Sequence, residues 1–381
     1  MAIGLAEILD AADPAGFDLS LPQKKVWRAI VACRTATLGG HVECCDHCGA
    51  LRQVYHSCRN RHCPKCQTRA KEAWLAARRR ELLPVPYFHL VFTLPHAFNA
   101  LASDLRLIYE LLFASVSETL IEFAANPRWL GGTPGFSLVL HTWKQDLGRH
   151  LHVHALMAGG ALTADGQWIS PKQGYLFPVQ ALSRVFRGKF VDALDGARKA
   201  GRVRHEVAKC DQEWRAFRKR LFRHDWVVYA KAPLGGPDQV LEYLGRYTHR
   251  VAISNDRILG MKDDTVRFRM RDSAHGNRKK LVRMAAGEFV KRFLLHVLPG
   301  GFKRIRHYGI LGPAHKAERL AAARMALSAP IPDPLVTEPV EAFMKRVAGI
   351  EWLACPHCGA GRFHVASPIE PARVPGNHGP P

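Results

Sequence analysis

Residues His141 to Gly160 read HTWKQDLGRHLHVHALMAGG, and this stretch decides the reading of the chain. LHVHALM, Leu151 to Met157, reads as a β-strand that ends at Gly159-Gly160. Side chains two apart on a strand share a face, so His152 and His154 point the same way while Val153 faces a core. Two neutral imidazoles so placed suit capture of one metal ion. His150 shares that face, but four residues of strand span about 13 Å, so His150, His152 and His154 cannot all bind one ion. A third ligand has to come from a neighbouring element. FSLVLH, Phe136 to His141, reads as a second strand; a hairpin between the two brings His141 alongside, with Gln145 as the next candidate. A His-x-His pair alone is more often a pair of hydrogen-bonded core histidines than a metal site, so its weight depends on what lies around it.

Downstream, DQVLEYLGRY reads as a helix with Asp238 as its N-cap. Tyr243 and Tyr247 are four apart in it, which on a helix is one face and about 6 Å of rise. Tyrosines at this spacing are usually half-buried core, but Arg246 and Arg250 interleave here and suit phosphate binding. A phenol with a pKa near 10 is a poor nucleophile at neutral pH. A metal ion that draws charge from a scissile phosphate lowers that barrier. Histidine strand and tyrosine helix therefore make chemical sense as one centre.

Upstream lies CCDHCGALRQVYHSCRNRHCPKCQ, Cys44 to Gln67. Seven of the ten cysteines precede residue 70, one is Cys210, and two are Cys355 and Cys358. Clustered CxxC pairs in a long chain without a secretory leader read as metal ligands rather than disulfides. Cys45 with Cys48 and Cys63 with Cys66 form two knuckles, expected to place four thiolates around one structural Zn²⁺. Cys58, His47, His56 or His62 could replace one ligand, or a second ion could bind. A closed site of this kind does no chemistry; its expected role is to hold Arg59, Arg61, Arg69 and Lys71 towards DNA. The pair in CPHCGAGRFH, Cys355 and Cys358, is half a ribbon, needing His364 and another residue, or a partner chain, to close; binding nothing is an equal alternative.

Charge names the class of partner. Fifty-five Lys and Arg stand against 33 Asp and Glu, a net +22. The basic residues recur along the chain, as in Arg78-Arg79-Arg80, Arg218-Lys219-Arg220 and Arg278-Lys279-Lys280, and in TVRFRM and Arg271 they form a row of Arg267, Arg269 and Arg271 on one strand face. A polyanion explains this better than a membrane surface, because no amphipathic anchor accompanies the runs. No window approaches eighteen apolar residues, and MAIGLAEILDAADPAGF lacks the basic start of a signal peptide, so the cytosol is the expected compartment.

These residues resemble the HUH nuclease superfamily, named for His-hydrophobic-His, with His152-Val153-His154 as the motif. Cys45, Cys48, SCRNRHCPKCQ, HTWKQDLGRHLHVHALMAGG and YLGRYTHRVAIS, in this order over roughly residues 20 to 310, resemble rolling-circle transposases of the insertion sequence 91 family, two-tyrosine type, with an N-terminal zinc-binding domain. The resemblance implies an α+β fold: an HUH antiparallel sheet with flanking helices, preceded by a small zinc-ribbon-like module. It implies Mg²⁺ or Mn²⁺ at His152, His154 and His141, the last eleven residues before His152 as in three-histidine relaxase centres. It further implies Tyr243 and Tyr247 as nucleophiles that form 5′-phosphotyrosine links in single-stranded transposon ends and target DNA, in a bacterial, nucleoid-associated protein; a homo-oligomer is allowed.

The expected boundaries are a helical segment at 1–35, a zinc module with DNA contacts at 36–83, and the nuclease at 84–320 with a basic helical insertion near 179–223. A C-terminal segment at 321–381 carries the half-knuckle and a tail disordered from about Ala366. Two alternatives share parts of this pattern: a replication initiator or relaxase with the same chemistry, and a zinc-ribbon DNA-binding regulator without catalysis. The regulator leaves His152, His154 and the tyrosines unused. A DDE transposase needs a carboxylate triad that the sequence does not display.

Overall fold

The computed structural model describes residues 3–372, apart from 173–174, 235–238, 240, 242–244, 246–251, 273–275, 277 and 335–337. In chain order the first elements are α1 (Leu5–Ala11), α2 (Leu21–Val31), β1 (Gly40–Cys45), β2 (Leu51–Tyr55), α3 (Gln67–Arg79), β3 (Tyr87–Thr93) and α4 (Leu105–Ala125). Then come β4 (Thr133–Trp143), β5 (Arg149–Leu162), β6 (Trp168–Ile169), α5 (Val179–Lys199), α6 (Asp211–Leu221) and β7 (Val228–Leu234). The last are β8 (Ile258–Lys262), β9 (Thr265–Asp272), β10 (Arg278–Ala285), α7 (Ala286–Leu294), β11 (Ile305–Gly309), α8 (Lys316–Ala326), α9 (Val340–Ala348) and β12 (Phe363–Ile369). The fold is mixed α and β, with antiparallel sheets and flanking helices, as the sequence implied.

The chain divides into two compact units, one of residues 1–70, 249–297 and 334–381, the other of 71–248 and 298–333. Both are discontinuous, unlike the consecutive segments read from the sequence. Pairing of β1 with β12 and of β4 with β11 joins distant stretches, and contacts of the N-terminal helices with Asn255 and Leu294 bring 249–297 into the first unit.

In the second unit the sheet runs β11-β4-β5-β3-β7, with β6 paired to the end of β5. All neighbours are antiparallel. The β4–β5 hairpin turns where the sequence supplies turn residues: Asp146 Oδ1 accepts from Gly148 N at 2.9 Å, and Lys144 N donates to Gly148 O at 2.8 Å. Gly160, at φ +148°, lets the Trp168 indole approach to 2.4 Å from where a Cβ would sit.

One face of this sheet carries Phe88, Leu90 and Phe92 of β3, Leu138 and Leu140 of β4, and Leu151, Val153, Ala155 and Met157 of β5, all buried in the main core. Helices α4, α5 and α6 supply its other side, with Phe113, Val116, Phe186, Phe190, Trp214 and Phe217. The segment expected as a basic insertion near 179–223 is helical but is no appendage. Its apolar stripe covers the sheet, and its Arg and Lys are exposed except for the half-buried Arg187, Lys189 and Arg198. Residues of opposite parity form a second face, where Tyr87, Val139, Leu156 and Ala158 pack under Leu320 and Ala323 of α8.

In the first unit, β12-β1-β2 and β10-β9-β8 form two three-stranded sheets. Phe268 of β9 packs edge-on against Phe289 of α7 at 5.6 Å. The N-terminal helices join this group through Leu5 N to Asn255 Oδ1 at 3.1 Å and Gln23 Nε2 to Leu294 O at 3.0 Å. The tail expectation needs correction: β12 runs to Ile369, paired with β1 from Gly40↔Ile369 to Cys45↔Phe363. A segment poor in apolar residues is ordered there because an exposed strand edge supplies its backbone partners.

Among the described residues no helix is long and apolar enough to cross a membrane.

Candidate functional site

The second face of the large sheet changes character along its length. Leu156 and Ala158 of β5 are covered by α8, but the same parity continues to His154, His152 and His150. His141 of β4 stands directly opposite His152, and Val139 opposite His154. The hairpin therefore puts three imidazoles on one patch: His141 and His154 have ring centroids 4.3 Å apart, His152 and His154 4.9 Å, His141 and His152 5.3 Å. Ligand atoms of all three lie within 4.8 Å of one another. His150 is outside this group, and Gln145 is exposed in the turn between the strands.

The surroundings prepare His152 and His154 as neutral ligands. Burial pushes the His152 pKa down to about 4, and burial followed by the nearby His141 holds His154 well below the ordinary histidine value. His152 Nδ1 lies 3.0 Å from His150 O; a carbonyl only accepts, so Nδ1 carries the proton and Nε2 the lone pair. Trp143 stacks on His141 at 4.6 Å.

His89, which the sequence reading passed over, belongs to the same patch. It lies on β3 with Nε2 2.8 Å from His154 Nδ1, and its ring stacks on His154 at 5.1 Å and 9°. With His154 Nδ1 as donor, His154 Nε2 is left basic. The available signal was a polar residue inside the otherwise apolar YFHLVFTL, on a face known only once β3 is paired with β5.

Tyr243, Tyr247, Arg246 and Arg250 lie outside the described residues. Their described neighbours Gln239, Leu241 and Gly245 are helical. Gly245, midway between the tyrosines, is buried against α3: a Cβ there would meet Leu75 Cδ1 at 2.8 Å and Lys71 Cε at 2.9 Å. Trp74 of the same helix packs on the cluster of the histidine-bearing face.

The cysteines correct the expected grouping. Cys45, Cys48, Cys63 and Cys66 are not brought together; each knuckle joins a different cluster. Cys63 and Cys66 meet Cys33, at the end of α2, and Cys58. The Cys66 sulfur lies 3.4 Å from that of Cys33 and 3.6 Å from that of Cys58, and Cys58 N donates to Cys33 Sγ at 3.5 Å. Cys45 and Cys48 meet Cys355 and Cys358. Chain spacing misled because β1, which ends at Cys45, pairs with β12 and so draws the first knuckle to Cys355 and Cys358, while Cys63 and Cys66 turn back to Cys33. Of the basic residues expected at DNA, Arg59 is exposed and Arg61 half-buried.

A second basic surface is laid out by β9 and β10. Register pairs Arg271 with Lys279, Arg269 with Leu281 and Arg267 with Arg283. These residues are exposed, whereas Val266 and Phe268 of the opposite parity are buried. β9 and β10 thus show five cations on one face, and Lys262 of β8, paired with Thr265, adds another.

Two family descriptions match the chain: "Transposase zinc-binding domain" over residues 10–94 and "Putative transposase" over residues 135–319. The chain is similar to "Putative transposase y4qJ" of Sinorhizobium fredii (strain NBRC 101917 / NGR234), 47% identical over 354 residues, 91% of this chain and 89% of that protein. It is also similar to "Transposase for insertion sequence element IS801" of Pseudomonas savastanoi pv. phaseolicola, 26% identical over 344 residues, 89% of this chain and 82% of that protein.

Proposed function

This chain belongs to the insertion sequence 91 family of transposases, and from that premise we propose that it cleaves and rejoins single-stranded DNA through Tyr243 and Tyr247 beside an ion held by His141, His152 and His154. The observation that carries the reading is the three-imidazole patch on adjacent strands, with ligand atoms within 4.8 Å. Neutral imidazoles accept a range of divalent ions, and Mg²⁺ or Mn²⁺ fits the phosphate chemistry. Such an ion supplies Lewis acidity at the scissile phosphate.

The remaining work falls to the chain. A tyrosine oxygen attacks phosphorus as its proton is lost, the bond to the 3′ oxygen breaks, and that oxygen leaves as a 3′-hydroxyl. The product is a 5′-phosphotyrosine, which a 3′-hydroxyl attacks in the reverse sense to rejoin a strand. Two tyrosines allow a second cleavage before the first strand is released. Gly245, buried on α3, and Trp74 of α3, packed on the histidine-bearing face, support this reading. The test is incubation with a single-stranded oligonucleotide from the element's end and Mn²⁺. A protein–DNA adduct that survives denaturation is expected; cleavage without any adduct counts against the tyrosine mechanism.

His89 acts in this reading through His154. His89→Phe replaces the imidazole by an aromatic ring without nitrogens, and is expected to weaken Mn²⁺ binding by about 10–100-fold. Unchanged affinity in a Mn²⁺ titration would leave His89 a packing residue.

Cys33, Cys58, Cys63 and Cys66 hold the structural zinc of the N-terminal domain. The basic sheet binds the DNA backbone. Changing Arg267, Arg269 and Arg271 together to Gln is expected to flatten the salt dependence of single-strand binding, by about 0.7 in log–log slope per lost phosphate contact. A slope equal to that of the parent protein would take this sheet off the DNA.

A further inference from the structure

The chain carries one pattern twice. Cys45-Asp46-His47-Cys48-Gly49-Ala50 and Cys355-Pro356-His357-Cys358-Gly359-Ala360 are both C-x-H-C-G-A. They also make the same turn: Gly49 N donates to Cys45 O at 3.0 Å, and Gly359 N to Cys355 O at 3.0 Å. Both glycines are left-handed, with φ of 71° and 68°, a conformation a Cβ would strain.

The two turns face each other. Cys45 Sγ lies 3.8 Å from Cys358 Sγ, and Cys48 Sγ 3.7 Å from Cys355 Sγ. Four thiolates around zinc, with bonds of about 2.3 Å, form a tetrahedron with edges of about 3.8 Å. A disulfide requires about 2.05 Å. Gly361 N donates to Cys358 Sγ at 3.3 Å, as the backbone does around a thiolate. The turns are also tied directly, by Asp46 N to Arg362 O at 3.1 Å and Arg362 N to Asp46 Oδ1 at 2.7 Å. At Gly361 a Cβ would lie 2.4 Å from Cys45 Sγ, so only glycine admits this approach.

We infer that Cys45, Cys48, Cys355 and Cys358 form a second structural zinc site, which pins the C-terminal segment to the N-terminal module. Half of this ligand set lies far beyond residue 94, where the zinc-binding domain match ends. Packing alone offers the junction little: its buried apolar cluster is Cys45, Cys355 and Phe363, flanked by Ala50 and Cys358. Modules this small need a staple. Arg52 adds a second tie. Its guanidinium lies 4.7 Å from the Trp352 ring and 4.0 Å from that of Phe363, while Nη2 donates to Trp352 O at 2.7 Å and Nε pairs with the buried Glu43. The first and last parts of the chain thereby fold as one ribbon, and the ion closes it.

Zinc is counted by mass spectrometry on the full chain carrying His152→Ala and His154→Ala, so that imidazole-bound ions do not enter. Two zinc ions per chain are expected, falling to one with Cys355→Ser and Cys358→Ser together. Should that variant fail to fold, the unsubstituted cysteines decide. In the zinc-loaded chain Cys355 and Cys358 are expected to resist thiol alkylation as Cys63 does, and to react after chelation, while the exposed Cys210 reacts at once. One zinc per chain, two retained in the Cys355→Ser and Cys358→Ser variant, or alkylation of Cys355 and Cys358 as fast as Cys210 overturns the inference.

Discussion

Changing both Tyr243 and Tyr247 to Phe is expected to remove the covalent protein–DNA adduct and strand joining, a loss of about 10⁴-fold or more. The substitution deletes two hydroxyl oxygens and keeps both rings. Arg246, Arg250 and the cations of β9 and β10 remain, and single-strand affinity should stay within about twofold of the parent. The single variants then divide the roles. If each tyrosine opens one strand, either change alone leaves an adduct but blocks completed transfer. If one is accessory, its loss leaves transfer intact. An adduct formed at the parent's rate by the double variant would sink the nucleophile assignment.

The second large effect concerns the histidines. His152→Ala or His154→Ala is expected to lower divalent-dependent cleavage by about 10³-fold, corresponding to the several kcal/mol a bound ion contributes at a phosphate. Either change removes one of three nitrogens that lie within 4.8 Å of one another. His150→Ala is the control. It sits on the same strand face but outside the group: alanine keeps the backbone carbonyl it offers His152 and removes only a ring whose centroid lies 4.9 Å from that of His152. Cleavage by His150→Ala should stay within about threefold. Equal losses in all three variants would mean that the strand, rather than an ion, had been damaged.

How far the site was legible follows from the range of each interaction. The facing of His152 and His154 is a two-residue effect, written in the strand period. The hairpin that brings in His141 needs only one turn, and Asp146 and Gly148 mark it. His89 lay beyond reach because its partner, His154, is 65 residues away and depends on the register of β3 against β5. The helices from 179 to 221 were visible as helices, but their place over the sheet follows from which side of it their aromatic stripe could bury.

The sequence by itself determined that the chain has a histidine strand, CxxC turns and a basic, nucleic-acid-binding character, because these rest on periodicity, tight-turn chemistry and charge. Tertiary structure alone decided which cysteines share a cluster. Ligation depends on distance in space, and β1 pairing with β12 brings Cys45 to Cys358 across 313 residues, while Cys63, much closer in the chain, turns back to Cys33.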